Sequence, residues 1–252
     1  MTQAFFLVAH GSRSPHGKTS LERLADYFRT LLPAEYAVGT GALEFEWGSL
    51  AQQLVEFRSR CPADCQQIYV IPVFLLPGTH VRDDIPDEIQ AAQELFSPGQ
   101  AVQLTLTAYL GSHPEIERIL RNRMTLNSAD AWVLLGHGSS RPEGDHVIEQ
   151  LAQSLSVYSA FWASEPKISA QAHTLFEQGV RSIGVIPYFL FAGRITAAIA
   201  AQIEEIDQRY PDRSIKLLSP LEPSRELARA LLELTQQSEM NLRQSVIPAS
   251  VA

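Results

Sequence analysis

The sequence predicts an α/β protein of two similar halves, each a parallel β-sheet flanked by helices, and two observations predict it. The first is an internal repeat. Phe6-Leu-Val-Ala-His10-Gly-Ser-Arg13 returns as Val133-Leu-Leu-Gly-His137-Gly-Ser-Ser140. Val70-Ile-Pro-Val-Phe-Leu-Leu-Pro-Gly78 returns, in the same order, as Val185-Ile-Pro-Tyr-Phe-Leu-Phe-Ala-Gly193. The second is alternation: short runs rich in β-branched and aromatic residues are separated by longer amphipathic stretches, the pattern of βα units whose strands are covered on both faces. A chain of 252 residues that is 45% hydrophobic has enough apolar surface to give each half its own core.

In the first half the apolar runs place strands near 5–9, 36–43, 68–75 and 102–108, with helices near 18–32, 49–60, 84–95 and 113–124. The second half repeats this with strands near 132–135, 157–163, 182–189 and 215–218, and helices near 145–155, 168–178, 195–210 and 225–237. The polar break at 126–130 sets the boundary, so the expected domains are 1–126 and 131–237. Beyond 237 the periodicity fades, and 238–252 reads as a loose tail.

The net charge of −8 argues against a general nucleic-acid or anionic-membrane binder, since both need a broad basic field. No apolar run approaches the length of a membrane span, and Met1 to Ala4 carries neither a basic leader nor a cleavage pattern, so a cytoplasmic protein is expected. Cys61 and Cys65 form a CxxxC without the second pair that a structural zinc site needs, and they read as ordinary helix-end or loop thiols.

In an open parallel sheet, ligands bind beyond the carboxyl ends of the strands, so polar residues at those ends are the candidates for chemistry. His10 directly follows an apolar strand and precedes a Gly-Ser turn. Its imidazole suits metal ligation or proton transfer, and HGS alone does not choose between these and a merely structural hydrogen bond. His80 stands at the corresponding exit of the third strand, after the sharp Pro77-Gly78 turn. Glu44 closes the second strand and adds a carboxylate that could accept a proton or orient a ligand.

These stretches carry a family resemblance. Leu7 to Arg13, Ala42-Leu-Glu-Phe45 followed by Ser49-Leu50, Pro72 through Pro86 with its Pro-Gly-Thr-His segment, and Leu110-Gly-Ser-His-Pro114 together resemble the long, two-half form of the class II chelatases of the sirohydrochlorin chelatase family. Trp47-Gly48 departs from that pattern, which has an acid-Pro pair there.

The resemblance implies insertion of divalent cobalt or iron into sirohydrochlorin, in siroheme or cobalamin synthesis, with the metal as substrate and no permanently bound cofactor. It implies that His10 and His80 hold the metal and that His10, Glu44 and His80 carry the catalysis. It also implies donors and walls for the carboxylate-rich macrocycle: Gly11, Ser12, Arg13, Phe45, Thr79 and Arg82, with His137, Arg141 and Arg194 from the second half and Trp47, Phe74 and Leu76 as apolar surface. In that half Ile195 replaces His80 and the Glu44 position falls near Ala163, so the same triad is not expected there. Sirohydrochlorin is then the expected partner, without nucleic acid or membrane, and a chain that already carries both halves is expected to be a monomer.

Two other readings compete. A histidine-phosphatase-like phosphohydrolase also places His-Gly after its first strand but precedes the His with Arg, whereas Ala9 and Gly136 stand in those places. A non-catalytic tetrapyrrole or metal carrier would use the same residues without turnover.

Overall fold

Each of the two apolar runs that precede a His-Gly-Ser turn becomes an inner strand of its own sheet. The computed structural model describes residues 2–12, 15–46, 48–96, 102–139 and 142–245. In it β1 (Thr2–Ala9) lies between β2 (Ala37–Ala42) and β3 (Cys65–Pro72), and β4 (Gln103–Leu106) extends the sheet beyond β3, all parallel. The second sheet repeats this order. There β5 (Ala131–Gly136) lies between β6 (Tyr158–Phe161) and β7 (Ser182–Pro187), and β8 (Ser214–Leu217) follows β7.

In the order β2-β1-β3-β4 the chain first steps to one side of β1 and then to the other. The crevice beyond the carboxyl ends of β1 and β3 is therefore the switch point where such sheets bind ligands.

The connections are helices: α1 (Pro15–Arg29), α2 (Leu50–Arg60), α3 (Ile85–Leu95), α4 (Pro114–Thr125), α5 (Pro142–Leu155), α6 (Ile168–Glu177), α7 (Arg194–Arg209) and α8 (Arg225–Ser245). The side chains of β1 are buried from Ala4 through Val8, which explains why that run is continuously apolar rather than alternating. On one face Phe6 and Val8 join Leu54 and Phe57 of α2 and Ile85 and Ile89 of α3 in a single cluster. On the other, Phe5 stacks on Tyr69 at 5.7 Å and meets Phe28 of α1 edge-on at 5.3 Å. Burying side chains of this size stabilises the fold by about 1.5–3 kcal/mol each. The second sheet has the equivalent cluster, from Val133, Leu135 and Val185 to Leu175, Ile199 and Ile203.

The expected α/β class and sheet pairs are observed, and three details differ. The third strand ends at Pro72 rather than 75, and the chain re-enters helix at His80 through a π-turn, His80–Asp84. The tail expected from 238 is helical to Ser245. There Ser238 Oγ donates to the Leu234 carbonyl at 3.0 Å and Arg243 pairs with Glu239 at 2.6 Å, so bonds along the helix surface take over where the apolar period ends. Residues 246–252 lie outside the described residues.

The third detail concerns packing. The compact units are Met1–His113 with Pro223–Ala252 and Pro114–Glu222, which overlap the repeats of 1–126 and 131–237 without coinciding with them. Within the second unit α4 packs on α5, and Arg123 is anchored there by donating to the carbonyls of Ser219, Pro220 and Leu221 at 2.6–2.8 Å. Within the first unit α8 packs on α1. The helix that ends each sequence repeat thus belongs to the compact unit of the other repeat.

Cys61 and Cys65 are free and buried in the first unit's core. Burial, reinforced by the neighbouring Cys65, pushes the Cys61 thiol up to about 12. Cys61 thus behaves as a small apolar residue and not as a reactive thiolate. Among the described residues no helix is long and apolar enough to cross a membrane.

Candidate metal centre in the first unit

Three strand-end loops of the first unit bring their candidate side chains to one point. The β1–β2 ladder continues past the strands, with Leu43 N–H donating to the Ala9 carbonyl at 3.2 Å and Glu44 N–H to the His10 carbonyl at 2.9 Å. This sets Glu44 beside His10. Gly11 is the residue that permits it: its φ is +99°, and a Cβ there would lie 1.9 Å from the Glu44 carbonyl oxygen. No other residue fits without moving Glu44.

Two ties hold the loop that carries Glu44. Lys18 of α1 pairs with Glu46 at 3.0 Å. Gln53 of α2 exchanges bonds with both backbone groups of Ala42 at 2.9 and 3.1 Å.

His80 arrives from the other side of β1. Val73 N–H donates to the Val8 carbonyl at 2.7 Å, and the chain then passes under Gly111, whose N–H donates to the Phe74 carbonyl at 2.8 Å. A Cβ on Gly111 would lie 2.0 Å from the Leu75 carbonyl oxygen, so this glycine, which the sequence reading did not single out, fixes the path of the segment leading to His80. The buried Ile85, followed by the half-buried Pro86, then locks the start of α3.

His10, Glu44 and His80 converge so closely that one ligand atom of each lies within 4.8 Å of the others. His10 Nε2 stands 3.8 Å from Glu44 Oε1, and the two imidazoles meet edge-on with centroids 4.7 Å apart. Their side chains remain 47%, 45% and 35% exposed for His10, Glu44 and His80, so the cluster is open to solvent. Two neutral imidazoles and a carboxylate form a donor set for a divalent first-row metal, and three protein ligands leave further positions free.

His80 has a further partner that sequence reading passed over. Its Nδ1 lies 2.6 Å from Asp84 Oδ2, four residues on. His10 has a weaker one, its Nδ1 lying 3.4 Å from the Gly11 carbonyl. Asp84 lies within the stretch that carries the family resemblance and at i, i+4 from His80, but the expected start of a regular helix at 84 concealed the contact.

The other expected residues are distributed as follows. Phe45 follows Glu44 directly, 49% exposed and in the left-handed region at φ +63°, where an aromatic side chain is uncommon. Thr79 and Arg82 are exposed on either side of His80, and the positive charge of Arg82 partly offsets the upward push that burial gives the Tyr109 phenol. Phe74 sets its ring 6.2 Å from that of His80, and Ser12 sits on the His10 turn. Arg13, Trp47 and Arg141 lie outside the described residues. His137 directly follows β5 and Arg194 opens α7, both exposed in the second unit.

Comparison with known proteins agrees with the repeat. The CbiX family model matches the chain twice, over residues 4–126 and 131–238. The sirohydrochlorin cobaltochelatase of Priestia megaterium is 24% identical over 235 residues, covering 85% of this chain and 73% of the relative. The sirohydrochlorin ferrochelatase of the same organism is 25% identical over 218 residues, covering 81% and 79%. Among solved structures, SirB from Bacillus subtilis with Fe3+ matches with a TM-score of 0.78 at 21% identity over 97% of this chain and 98% of that one. A structure of CbiX, described as the terminal enzyme for biosynthesis of siroheme in denitrifying bacteria, matches with a TM-score of 0.65 at 17% identity over 93% and 98%. At these identities the structural matches establish the shared fold.

Proposed function

The chain belongs to the CbiX family, and on that premise we propose that it is a sirohydrochlorin chelatase, inserting divalent cobalt or iron into the macrocycle in siroheme or cobalamin synthesis. The observation that carries the reading is the open cluster of His10, Glu44 and His80 at the switch point of the first sheet.

Metal insertion exchanges one divalent cation for the two protons on the pyrrole nitrogens. The site must therefore deliver a metal, accept protons, and then let the metal go. His10 and His80 supply neutral nitrogen donors that favour cobalt or iron over harder cations. Glu44, 3.8 Å from His10, is the group best placed to take a pyrrole proton while its charge steadies the cation. The openness of the cluster serves the last step, because a closed four-ligand site would retain its ion.

Around the cluster, the apolar ring of Phe45 offers a surface for the flat face of the macrocycle, and Arg82 a cation for its peripheral carboxylates. The Gly11-Ser12 turn and Thr79 add neutral donors. The roles expected of His137 and Arg194 are substrate contacts, with no part in the triad.

Timed absorbance spectra of sirohydrochlorin with Co2+ or Fe2+, under anaerobic conditions with and without the protein, test the reading. The protein should accelerate metalation with repeated turnover. Stoichiometric binding without acceleration for either metal would make the chain a carrier and overturn the proposal.

A further inference from the structure

We propose that Asp84 is a positioning residue that fixes the proton of His80 on Nδ1 and so presents its Nε2 lone pair to the incoming metal; this rests on reading the cluster as the site that takes up the substrate metal. An ionised carboxylate only accepts hydrogen bonds, so a separation of 2.6 Å between Asp84 Oδ2 and His80 Nδ1 requires the proton to sit on that nitrogen. The other ring nitrogen is then the lone-pair donor. A carboxylate behind an imidazole also holds the plane of the ring.

The local backbone is built for this contact. Residues 80–84 form a π-turn in which Ile85 N–H donates to the His80 carbonyl, five residues back, and such turns concentrate at functional sites. Asp84 occupies the N-cap position of α3, where an aspartate ordinarily bonds the first free N–H groups, yet its side chain makes no cap hydrogen bond. Its carboxylate is committed to His80 instead.

Among the described residues, His10 has behind it only the Gly11 carbonyl at 3.4 Å. The two imidazoles are thus unequal: His80 is the firmly oriented donor, and His10, closer to Glu44, is freer to turn toward the macrocycle.

The test begins without any tetrapyrrole. Nitrogen-15 shifts of the metal-free protein, at alkaline pH where imidazole is neutral, should show His80 protonated on Nδ1. In Asp84→Ala the signal should shift toward the Nε2-protonated form. Titration of the same proteins with Co2+, followed by its visible absorption bands, should show ~10–100-fold weaker binding in the variant. Asp84→Asn, whose amide oxygen still accepts the Nδ1 proton, should keep the tautomer and lose less affinity. The Asp84 side chain is 44% exposed and alanine is a good helix former, so Asp84→Ala should retain the wild-type circular dichroism. Should it fail to fold, Asp84→Asn carries the test through its tautomer and affinity.

A wild-type His80 protonated on Nε2, or an Asp84→Ala protein with unchanged tautomer and cobalt affinity, overturns the inference. If Asp84 governs cobalt binding but sirohydrochlorin is never metalated, the proposed function falls and the positioning role stands. If metalation proceeds and Asp84 does not affect the tautomer, the reverse holds.

Discussion

Glu44 N–H donates to the carbonyl of His10, and Ala163 N–H donates to the carbonyl of His137. Val73 N–H donates to Val8, and Tyr188 N–H to Leu135. The two units thus hold equivalent positions in equivalent backbone frames, and the same register that carries Val73 to His80 carries Tyr188 to Ile195. Gly138 repeats Gly11, with φ +84° and a Cβ position 2.7 Å from the Ser164 nitrogen.

What differs is the side chains on that frame. His137, Ala163 and Ile195 replace His10, Glu44 and His80, and four residues past Ile195, where Asp84 would be, stands the fully buried Ile199. Even the tie between helix and loop is remade, from Lys18–Glu46 to Asp145, which accepts from Ser139 N–H at 2.8 Å and Ser164 Oγ at 2.6 Å. The backbone architecture is therefore separable from the chemistry. On the proposed reading, a strand-end histidine serves the chemistry only where the second and third loops supply its partners.

The strongest way to break this comparison is to compare the two histidines. His80→Ala should lower protein-dependent metalation by ~100-fold or more, and His137→Ala by less than ~10-fold, with both proteins folded. Timed absorbance spectra, corrected for the protein-free rate, give the ratio; a larger loss in His137→Ala would assign the chemistry to the wrong unit.

The glycines sharpen it next. Gly11→Ala and Gly138→Ala should each destabilise the fold by ~1–3 kcal/mol in denaturant titrations, since both force a Cβ into backbone at positive φ. Only Gly11→Ala should also cost ~10-fold in metalation, because only there is a ligand displaced.

A constructive version follows. Ala163→Glu with Ile195→His should add a second Co2+ to the one bound by wild type, ~10–100-fold weaker because Ile199 offers no carboxylate behind the new imidazole. Equilibrium dialysis that still counts one ion would show that the frames are less alike than their backbone bonds suggest.

The smallest effect concerns the cysteines. Cys61 and Cys65 fall, in the register that aligns Val70 with Val185, where the second unit has Phe176 and Val180, which marks them as core residues. Because burial raises the folded thiol of Cys61 from 9.0 to about 12, its contribution to stability is fully present below pH 9.0 and is lost as pH rises toward 12. The unfolding midpoint should therefore decline across the lower part of that window, and less steeply in Cys61→Ala.

Much of this was legible in the sequence because strand-end chemistry and strand-end turns are local. His10-Gly11-Ser12 follows an apolar run, Glu44 closes another, and the repeat itself shows which half lacks partners. Asp84 was not legible, because its effect depends on a π-turn, and a carboxylate at a helix start reads as a cap. Nor was the exchange of α4 and α8 between compact units, since an amphipathic pattern records that a helix has an apolar face and not which sheet that face covers. The extension of α8 past 237 rests on side-chain bonds such as Glu239 to Arg243, which apolar periodicity does not register.

That exchange has a mechanical consequence. Because the chain leaves the first unit at His113 and returns at Pro223, the second unit is an insertion within the first, which holds both ends of the polypeptide. Tension applied to those ends, as by an optical trap or a processive protease pulling from a terminus, bears first on the unit that contains His10, Glu44 and His80. The inserted unit stays outside the line of force until its host has opened, so under load the cluster of His10, Glu44 and His80 should come apart before the inserted unit unfolds.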